Sequence, residues 1–266
     1  MPIDCPIEVE KISKDTYHKI DYRVMGIIYG VHNDLGRLYD EKIYQQAIIN
    51  RCREAGLIAD QGIPINVIHE NFQKKYIIDI IINHSIIYEL KTVSAFNPQH
   101  RNQLLNYLFL TEINFGKLVN MSPASVKGEF VTTSLTEEER HKFKINDEGW
   151  KAIGEESIWL RKLLIELISD WGMFLSLDVY REAVDFFYDG SRPLSQEIDI
   201  RDEGNILGKQ KVNLLSNRIG VYFSGLRISL KSYKKHLEGL IKYSNLTAIQ
   251  WVNFNQHNLT LRTITE

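Results

Sequence analysis

Asp79, Glu89 and Lys91 are set into the most apolar stretch of the chain, YIIDIIINHSIIYELKT at residues 76–92. Short runs rich in isoleucine favour strands, and the polar loop at 83–85 makes this stretch a predicted β-hairpin. Glu89 and Lys91 are two residues apart on one strand, so their side chains project from the same face. Asp79 lies on the preceding strand. One hairpin therefore carries two carboxylates and an ammonium group that could act together.

The length of the hairpin loop decides whether the two carboxylates meet. A three-residue loop at 83–85 pairs Asp79 with Glu89 and puts both side chains on one face. A two-residue loop pairs Asp79 with Tyr88 instead, which sends the two carboxylates to opposite faces. The sequence alone leaves both registers open.

In the first register the chemistry would be that of a metal site. Two close carboxylates repel each other and raise one pKa unless a cation lies between them. Hard oxygen ligands suit Mg²⁺ or Mn²⁺, and a nearby lysine can orient or help deprotonate a water, or neutralise a developing phosphate charge. This set fits the hydrolysis of a phosphodiester. The alternative is a salt bridge at a strand end, with Asp79 capping a turn.

The flanking segments predict the elements that hold this hairpin. Apolar residues at helical spacing run from Tyr17 to Gly36, and a second helix is predicted from Asp40 to Gly56. Asn97-Pro98 predicts the start of a third helix, with proline at its first position. The strands INVI and GKLVNMS complete an order α-α-β-β-β-α-β, and the short strand EFVTTS follows.

The motifs HNDLGRLYDEKIY, YIIDIII, YELKTV and HRNQLLNYL occur in this order and resemble the GxxExxY proteins, a bacterial branch of the PD-(D/E)XK nuclease-like superfamily. The resemblance covers roughly residues 15–122. The catalytic positions that it implies are Glu41, Asp79, Glu89, Lys91 and Gln103, with Asp79, Glu89 and Glu41 as metal ligands and Tyr44 as the motif tyrosine. Tyr107 follows Gln103 by one helical turn, and His100 precedes it; both are expected to support the site.

The resemblance also implies a fold and an activity. The fold is a central mixed sheet flanked by helices, with the acidic site at the sheet edge. The expected cofactor is Mg²⁺ or Mn²⁺, and the expected substrate is nucleic acid, with DNA favoured over RNA. Leu38 stands where the family motif has its first glycine, so the turn before Glu41 departs from the pattern.

The chain is also predicted to repeat itself. DLGRLYDEKIYQQAI, from Asp34, matches DWGMFLSLDVYREAV, from Asp170, without a gap. The hairpin then lies over GKQKVNLLSNRIGVYFSGLR, and KLVNM lies over QWVNF, with a drift of three residues along the repeat. Landmark glycine, tyrosine and asparagine residues in the same order indicate one supersecondary unit used twice.

The second copy is expected to lack the acidic site. The matches are Glu41 with Leu177, Asp79 with Asn213, Glu89 with Phe223, Lys91 with Gly225, and Gln103 with His236. We interpret it as an inactive nuclease-like repeat kept for packing, so that one chain resembles a dimer. The alternative is a module that binds a partner or the nucleic acid. Its segment KSYKKHLEGLIKY could contact phosphates and bases, or could be a solvated helix face.

The predicted fold class is α/β, with two tandem units of the PD-(D/E)XK (restriction-endonuclease-like) type. Residues 1–134 form the unit with the intact motif, residues 135–150 a linker, and residues 151–266 the degenerate repeat. The predicted function is a metal-dependent nuclease. The alternative is an inactive nuclease-like fold that serves as a protein-interaction or nucleic-acid-binding module.

Composition narrows the setting of the protein. The chain has 266 residues, a net charge of -2 and two cysteines, Cys5 and Cys52, which form no metal-binding or disulfide pattern. The near-neutral net charge gives no indication of a general basic surface. Because an enzyme that acts processively on DNA usually has such a surface, this mildly favours the non-enzymatic alternative. No apolar run is long enough to cross a bilayer. We expect a cytoplasmic protein without membrane contact, either homodimeric or an intramolecular pseudo-dimer.

Overall fold

The chain folds into two compact units of mixed α/β structure. A computed structural model describes residues 2–190 and 193–265, and its backbone divides into residues 1–139 and 140–266. Within the described residues, each unit has a six-stranded mixed sheet flanked by helices. This agrees with the predicted fold class of two tandem nuclease-like units. No helix in these described ranges is both long and apolar enough to cross a bilayer.

The first unit follows the predicted order of elements, preceded by one short strand, Ile3–Asp4, that the sequence did not predict. Its helices are α1 (Lys14–Leu35), α2 (Glu41–Glu54) and α3 (Pro98–Thr111), and its strands are β1 (Ile3–Asp4), β2 (Ala59–His69), β3 (Phe72–Ile82), β4 (Ile86–Lys91), β5 (Phe115–Asn120) and β6 (Lys127–Thr132). The strands are adjacent in sequence order, β1 to β6. β4 and β5 are parallel, so the chain must cross over between them, and α3 is that crossover.

Helix ends in the first unit lie where the sequence predicts them. Gly36 closes α1 with a φ of 76°, a left-handed conformation that glycine adopts without steric cost. Asn97 caps α3, and Pro98 is its first residue. The buried stripe of α1, which includes Val24, Ile28 and Val31, packs with α2 and one face of the sheet in a single apolar core.

The second unit contains α5 to α7 and β7 to β12. A short α4 (Glu137–Arg140) lies at the boundary; the helices are α5 (Glu155–Trp171), α6 (Leu177–Phe187) and α7 (Leu230–Lys242), and the strands are β7 (Lys144–Gly149), β8 (Ser195–Asp202), β9 (Asn205–Ser216), β10 (Ile219–Ser224), β11 (Ala248–Asn255) and β12 (Asn258–Ile264). The sheet order is β7-β12-β11-β10-β9-β8. The expected linker at 135–150 is therefore wrong in part, because β7 pairs with β12 as an edge strand.

From β8 to β12 the second sheet repeats the pairings of β2 to β6. The first two pairings are antiparallel, the central pair is parallel with a helix as the crossover, and the last is antiparallel. The units differ at their edges. β1 extends the first sheet beside β2, whereas β7 extends the second sheet beside β12.

Two side-chain contacts with the backbone occur in both units. The hydroxyl of Tyr44 donates to the Gly36 carbonyl at 2.7 Å, and the hydroxyl of Tyr180 donates to the Gly172 carbonyl at 2.5 Å. Both tyrosines are fully buried. Each bond joins the first turn of the second helix to the end of the first helix, so it fixes the loop between the two.

The second shared contact is an asparagine on the central strand. Asn120 accepts a hydrogen bond from the Val93 amide and donates to the Val93 carbonyl. Asn253 makes the same pair of bonds with Leu226. In each unit the buried asparagine holds the chain that leaves the parallel partner strand, so the two crossovers begin alike.

The strand register places the two hairpins 133 positions apart. Lys91 pairs with Asn120 in the first unit, and Ser224 pairs with Asn253 in the second. The antiparallel neighbour agrees, since the pair Ile80–Tyr88 corresponds to Asn213–Val221. The predicted offset of 134 in this region is therefore one residue too large. The second hairpin has a two-residue turn and a bulge beside Gly220, where the first has a three-residue loop.

The corrected register changes which residues replace the carboxylates. Val212 and Tyr222 correspond to Asp79 and Glu89, whereas the predicted matches, Asn213 and Phe223, face the other side of their strands. Val212 is buried in the apolar core, and Tyr222 packs against that core. The second unit still has no carboxylate at either position.

We predict that the shared tyrosine hydrogen bond stabilises both units. Tyr44→Phe and Tyr180→Phe should each lower the free energy of unfolding of their unit by about 1 kcal/mol, because a buried carbonyl loses its donor. Chemical denaturation followed by circular dichroism measures this. Tyr22→Phe, at a side chain that is 84% exposed, is the control and should change nothing. Variants as stable as the wild type would contradict the role of the bond.

Candidate active site

The β3–β4 hairpin has the three-residue loop that brings the carboxylates together. Ile82 pairs with Ile86, and Ile80 pairs with Tyr88. The loop is therefore 83–85, where the first two residues, asparagine and histidine, have a φ of 49°. Asparagine and histidine tolerate this left-handed conformation better than most residues. The register that aligns Asp79 with Glu89 is thus confirmed.

Asp79 joins the two strands through its side chain. Its Oδ2 accepts a hydrogen bond from the Leu90 amide at 2.8 Å. The regular β3–β4 pairing ends one residue earlier, at Ile80 and Tyr88. A carboxylate therefore replaces a backbone carbonyl as the acceptor, and this holds Asp79 against the strand that carries Glu89.

Glu89 is almost fully buried, and its two oxygens have different surroundings. Only 1% of the residue is exposed. Its Oε1 accepts a hydrogen bond from Lys91 Nζ at 2.6 Å, whereas its Oε2 is buried without a hydrogen-bond partner among the described residues. A buried oxygen without a partner is costly, so its retention needs an explanation. A bound cation would supply the missing partner.

The three carboxyl groups share a crowded environment. Burial and the charge of Asp79 raise the pKa of Glu89 to about 8. Burial also raises the pKa of Asp79 above its usual range, although the Leu90 amide partly opposes this. The pKa of Glu41 is raised by burial as well, with Lys91 opposing it and Asp79 adding to it. Without a cation, Glu89 therefore keeps a proton near neutral pH that an ordinary carboxylate would release.

Lys91 is the cation that the chain itself provides. Burial alone would lower its pKa, but the carboxylates of Glu89, Glu41 and Asp79 outweigh burial and raise the pKa of Lys91 above its usual value. The side chain therefore remains an ammonium group at neutral pH. It can donate hydrogen bonds or neutralise negative charge, and it is a poor base.

Helix α2 contributes Glu41 and a residue that sequence reasoning missed. Glu41 is the first residue of α2, close enough to Asp79 and Lys91 for their charges to act on it. Gln45, one turn later on the same helix face, forms a side-chain hydrogen bond with Asp79. The spacing of four residues from Glu41 was the signal available in the sequence.

The predicted residues of α3 divide into two groups. Gln103 donates a hydrogen bond from Nε2 to the Tyr107 hydroxyl at 2.9 Å. Burial and the negative charge of Glu89 raise the pKa of Tyr107 to about 12, which places its hydroxyl beside the acidic group. His100 is held elsewhere, because its Nδ1 accepts from the Asn97 amide in the cap of α3.

Tyr44 and Leu38 shape the loop before Glu41. Besides its bond to Gly36, the Tyr44 hydroxyl accepts a hydrogen bond from the Tyr39 amide at 3.3 Å. Tyr44 therefore braces the loop from inside. Leu38 is 96% exposed, and its φ is not positive, so the loop forms without glycine at this position. The departure from the family motif does not disturb the loop.

The donor set fits a small divalent cation held by few protein ligands. Within residues 2–190 and 193–265 there is no group of three or more histidine, cysteine, aspartate or glutamate side chains positioned to hold a metal. Glu41 is therefore not brought into a three-carboxylate cluster with Asp79 and Glu89. Mg²⁺ commonly binds through one or two carboxylates and keeps several waters, which two carboxylates and the unpartnered Oε2 can accommodate.

Comparison with known proteins gives one family. Residues 18–132 match the family model of the PD-(D/E)XK nuclease superfamily. The matched segment contains all the candidate site residues from Glu41 to Tyr107. Searches of curated proteins and of solved structures gave no significant match.

Glu89 predicts a pH dependence of stability. Its pKa is about 8 in the folded protein and has the ordinary value, 4.5, when unfolded. Between these values the folded state keeps a proton that the unfolded state releases, so the stability contributed by Glu89 falls as the pH rises. Glu89→Gln cannot titrate and should gain stability relative to wild type between about pH 5.5 and 8.5.

Chemical denaturation in the presence of a chelator measures this difference. Glu54→Gln is the matched control, since Glu54 is an exposed carboxylate at the end of α2. The free energy of unfolding of Glu54→Gln should differ from that of the wild type by the same amount at about pH 5.5 and at about pH 8.5. A Glu89→Gln variant whose stability relative to wild type does not change with pH would contradict the raised pKa.

Proposed function

We propose that this protein is a metal-dependent nuclease that hydrolyses phosphodiester bonds of nucleic acid, with DNA as the favoured substrate. The match of residues 18–132 to the PD-(D/E)XK nuclease superfamily supports the reaction class. The observation that carries the proposal is the hairpin itself. It joins Asp79, Glu89 and Lys91 and leaves Glu89 Oε2 buried without a partner among the described residues.

The residues would divide the work as follows. Asp79 and Glu89 would hold Mg²⁺ or Mn²⁺, which supplies Lewis-acid polarisation of the phosphodiester and a more acidic water. The Leu90 amide and Gln45 fix the Asp79 carboxylate, so its oxygens are oriented before substrate arrives. Glu41 lies at the start of α2, where it would orient the attacking water.

Lys91 would act through its charge. As an ammonium group it would donate to the attacking water or to a phosphate oxygen, where it offsets the negative charge that develops. Its present partner is Glu89 Oε1. Substrate would compete for this ammonium group, which has three donors to share. Gln103 and Tyr107 would line the adjoining wall and keep Glu89 shielded from water.

The raised carboxyl pKa values favour this assignment of roles. Glu89, with a pKa of about 8, keeps its proton near neutral pH and would release it when a divalent cation binds, because the cation replaces the proton as the positive charge. Metal affinity should therefore increase with pH. Tyr107 and the apolar hairpin keep the environment poorly hydrated, which strengthens each electrostatic interaction there.

We also infer that the second unit is a degenerate copy of the first and that the first belongs with the GxxExxY proteins. The same pairing order, the same Tyr–Gly bond and the same asparagine bridge support one origin for the two units. Val212 and Tyr222, at the positions of Asp79 and Glu89, cannot ligate Mg²⁺. On this proposal residues 151–266 serve packing or binding, and the active unit is 1–134.

The second candidate function is a nuclease-like fold that only binds. The Glu89–Lys91 ion pair favours it, because Lys91 already partners one of the two Glu89 oxygens that a metal ion would use. The lack of a three-residue metal group within the described ranges points the same way. The two candidates differ in whether the hairpin binds a divalent cation.

We predict that Mn²⁺ binds at the hairpin. Calorimetric titration should give saturable binding to the wild type and none to Asp79→Ala or Asp79→Asn, because both remove a charged ligand. The asparagine variant keeps an acceptor for the Leu90 amide, so it separates loss of charge from loss of structure. Asp185→Asn, on an exposed residue of α6, is the control and should bind as the wild type does. Equal binding by all four proteins would contradict the site.

We predict that Lys91→Met lowers the cleavage rate by about 100-fold or more, since loss of one electrostatic stabiliser has this effect. Mn²⁺ binding should be retained, because both carboxylates remain. Lys127→Met removes an exposed lysine from β6 of the same sheet and should leave the rate unchanged. Cleavage of labelled single-stranded and duplex DNA measures the rates. An active Lys91→Met variant would exclude the proposed role of the ammonium group.

A further inference from the structure

A groove in the second unit combines an apolar floor with aromatic and basic borders. Its volume is about 480 Å³, and it lies between α7 and strands β8 to β10. Apolar side chains line most of it, including Leu207, Leu240, Tyr222 and Tyr243. Leu207 and Tyr243 are exposed, so the groove presents apolar surface to solvent.

Helix α7 gives this groove a positive border. It carries four lysines and one glutamate. Lys234 pairs with Glu238 on one side of the helix. The other three, Lys231, Lys235 and Lys242, are exposed and have no ion-pair partner among the described residues. Lys242 Nζ lies over the Tyr243 ring, 5.1 Å from the ring centroid.

The three unpaired lysines lie on one side of the helix. Their spacing of four and seven residues aligns them in a stripe. Gly239 of α7 and Tyr243, the residue that follows α7, line the groove next to that stripe. A polyanion that follows the stripe would therefore pass along the open side of the groove.

We propose that this groove binds an unpaired base of single-stranded nucleic acid, with the adjacent phosphates on the lysine stripe. Tyr222 and the face of the Tyr243 ring opposite Lys242 would offer surfaces for stacking, and base stacking on aromatic side chains tolerates any sequence. Gln210, His236 and Asp202 line the same groove and can hydrogen-bond to base edges. A duplex hides its base faces, so it would reach the lysines and not the groove.

The groove occupies the place in the second unit that the candidate active site occupies in the first. Tyr222 corresponds in strand register to Glu89. The same offset in residue number makes His236 the counterpart of Gln103. The proposal takes its ligand class from the proposed nuclease function and rests on it in that respect. It assigns the second unit a role in holding the strand, and no role in cleaving it.

Fluorescence anisotropy with the full chain tests the groove. The probes are labelled oligothymidylate and oligouridylate of about 20 nucleotides, long enough for one binding site, and a duplex of the same length. All measurements are made in EDTA, so that metal at the hairpin cannot contribute. We expect the single strands to bind more tightly than the duplex, and the two single strands show whether DNA or RNA is preferred.

Two sets of variants separate the lysines from the groove. Replacing Lys231, Lys235 and Lys242 with glutamine should weaken binding about tenfold or more and reduce the salt slope by about 2. The matched control replaces three lysines of the second unit outside the groove, Lys144, Lys151 and Lys162, and should have a much smaller effect. Tyr243→Ala should weaken binding about tenfold, whereas Tyr243→Phe keeps the ring and should bind as the wild type does.

Several results would overturn the inference. They are no binding of single strands, equal binding of duplex, equal losses in the two triple variants, or an unaltered affinity of Tyr243→Ala. Circular dichroism of each variant shows whether it is folded. Cleavage is assayed separately with Mn²⁺ present. Binding without cleavage would contradict the proposed nuclease and support the groove. Cleavage without binding at the groove would support the nuclease and contradict the groove.

Discussion

The hydrogen bond from the Leu90 amide to the Asp79 carboxylate is the interaction on which the candidate site depends. It exists because the loop at 83–85 has three residues, and side-chain direction in a strand alternates with every residue. One residue fewer in that loop would turn Asp79 to the opposite face. The effect of the Asp79 charge on the pKa of Glu89 and the hydrogen bond between Gln45 and Asp79 both follow from this parity.

The sequence predicts much of the first unit because its signals are local. Gly36 and Asn97-Pro98 mark helix ends through backbone conformation, and the apolar hairpin stands out by composition. Gln45 was missed because its partner, Asp79, is distant in sequence. Strand β7 was taken for a linker because an exposed edge strand carries little apolar pattern, and its pairing with β12 is not encoded nearby.

The one-residue error in the second unit has a physical cause as well. The second hairpin, with its short turn and one bulged residue, has the same number of residues as the first hairpin with its three-residue loop. Apolar residues stand at consecutive positions in both hairpins, at 80–82 and at 214–215, so matching by apolar character alone can shift by one. Only hydrogen-bond pairing distinguishes Tyr222 from Phe223 as the counterpart of Glu89. The hydrogen bonds of Tyr180 and Asn253 are kept in the second unit because they hold the backbone, and the backbone is needed whether or not the unit has a metal site.

The two edge strands give the units different routes through synthesis. In the first unit β1 to β6 are neighbours in chain order, so each strand emerging from the ribosome can add to one already present. In the second unit Lys144 pairs with Asn258, across nearly the whole unit. β7 must therefore wait for β12, and closing so long a loop slows folding. Until then β7 has no strand to pair with, so the second unit completes its sheet only when its last strand is present.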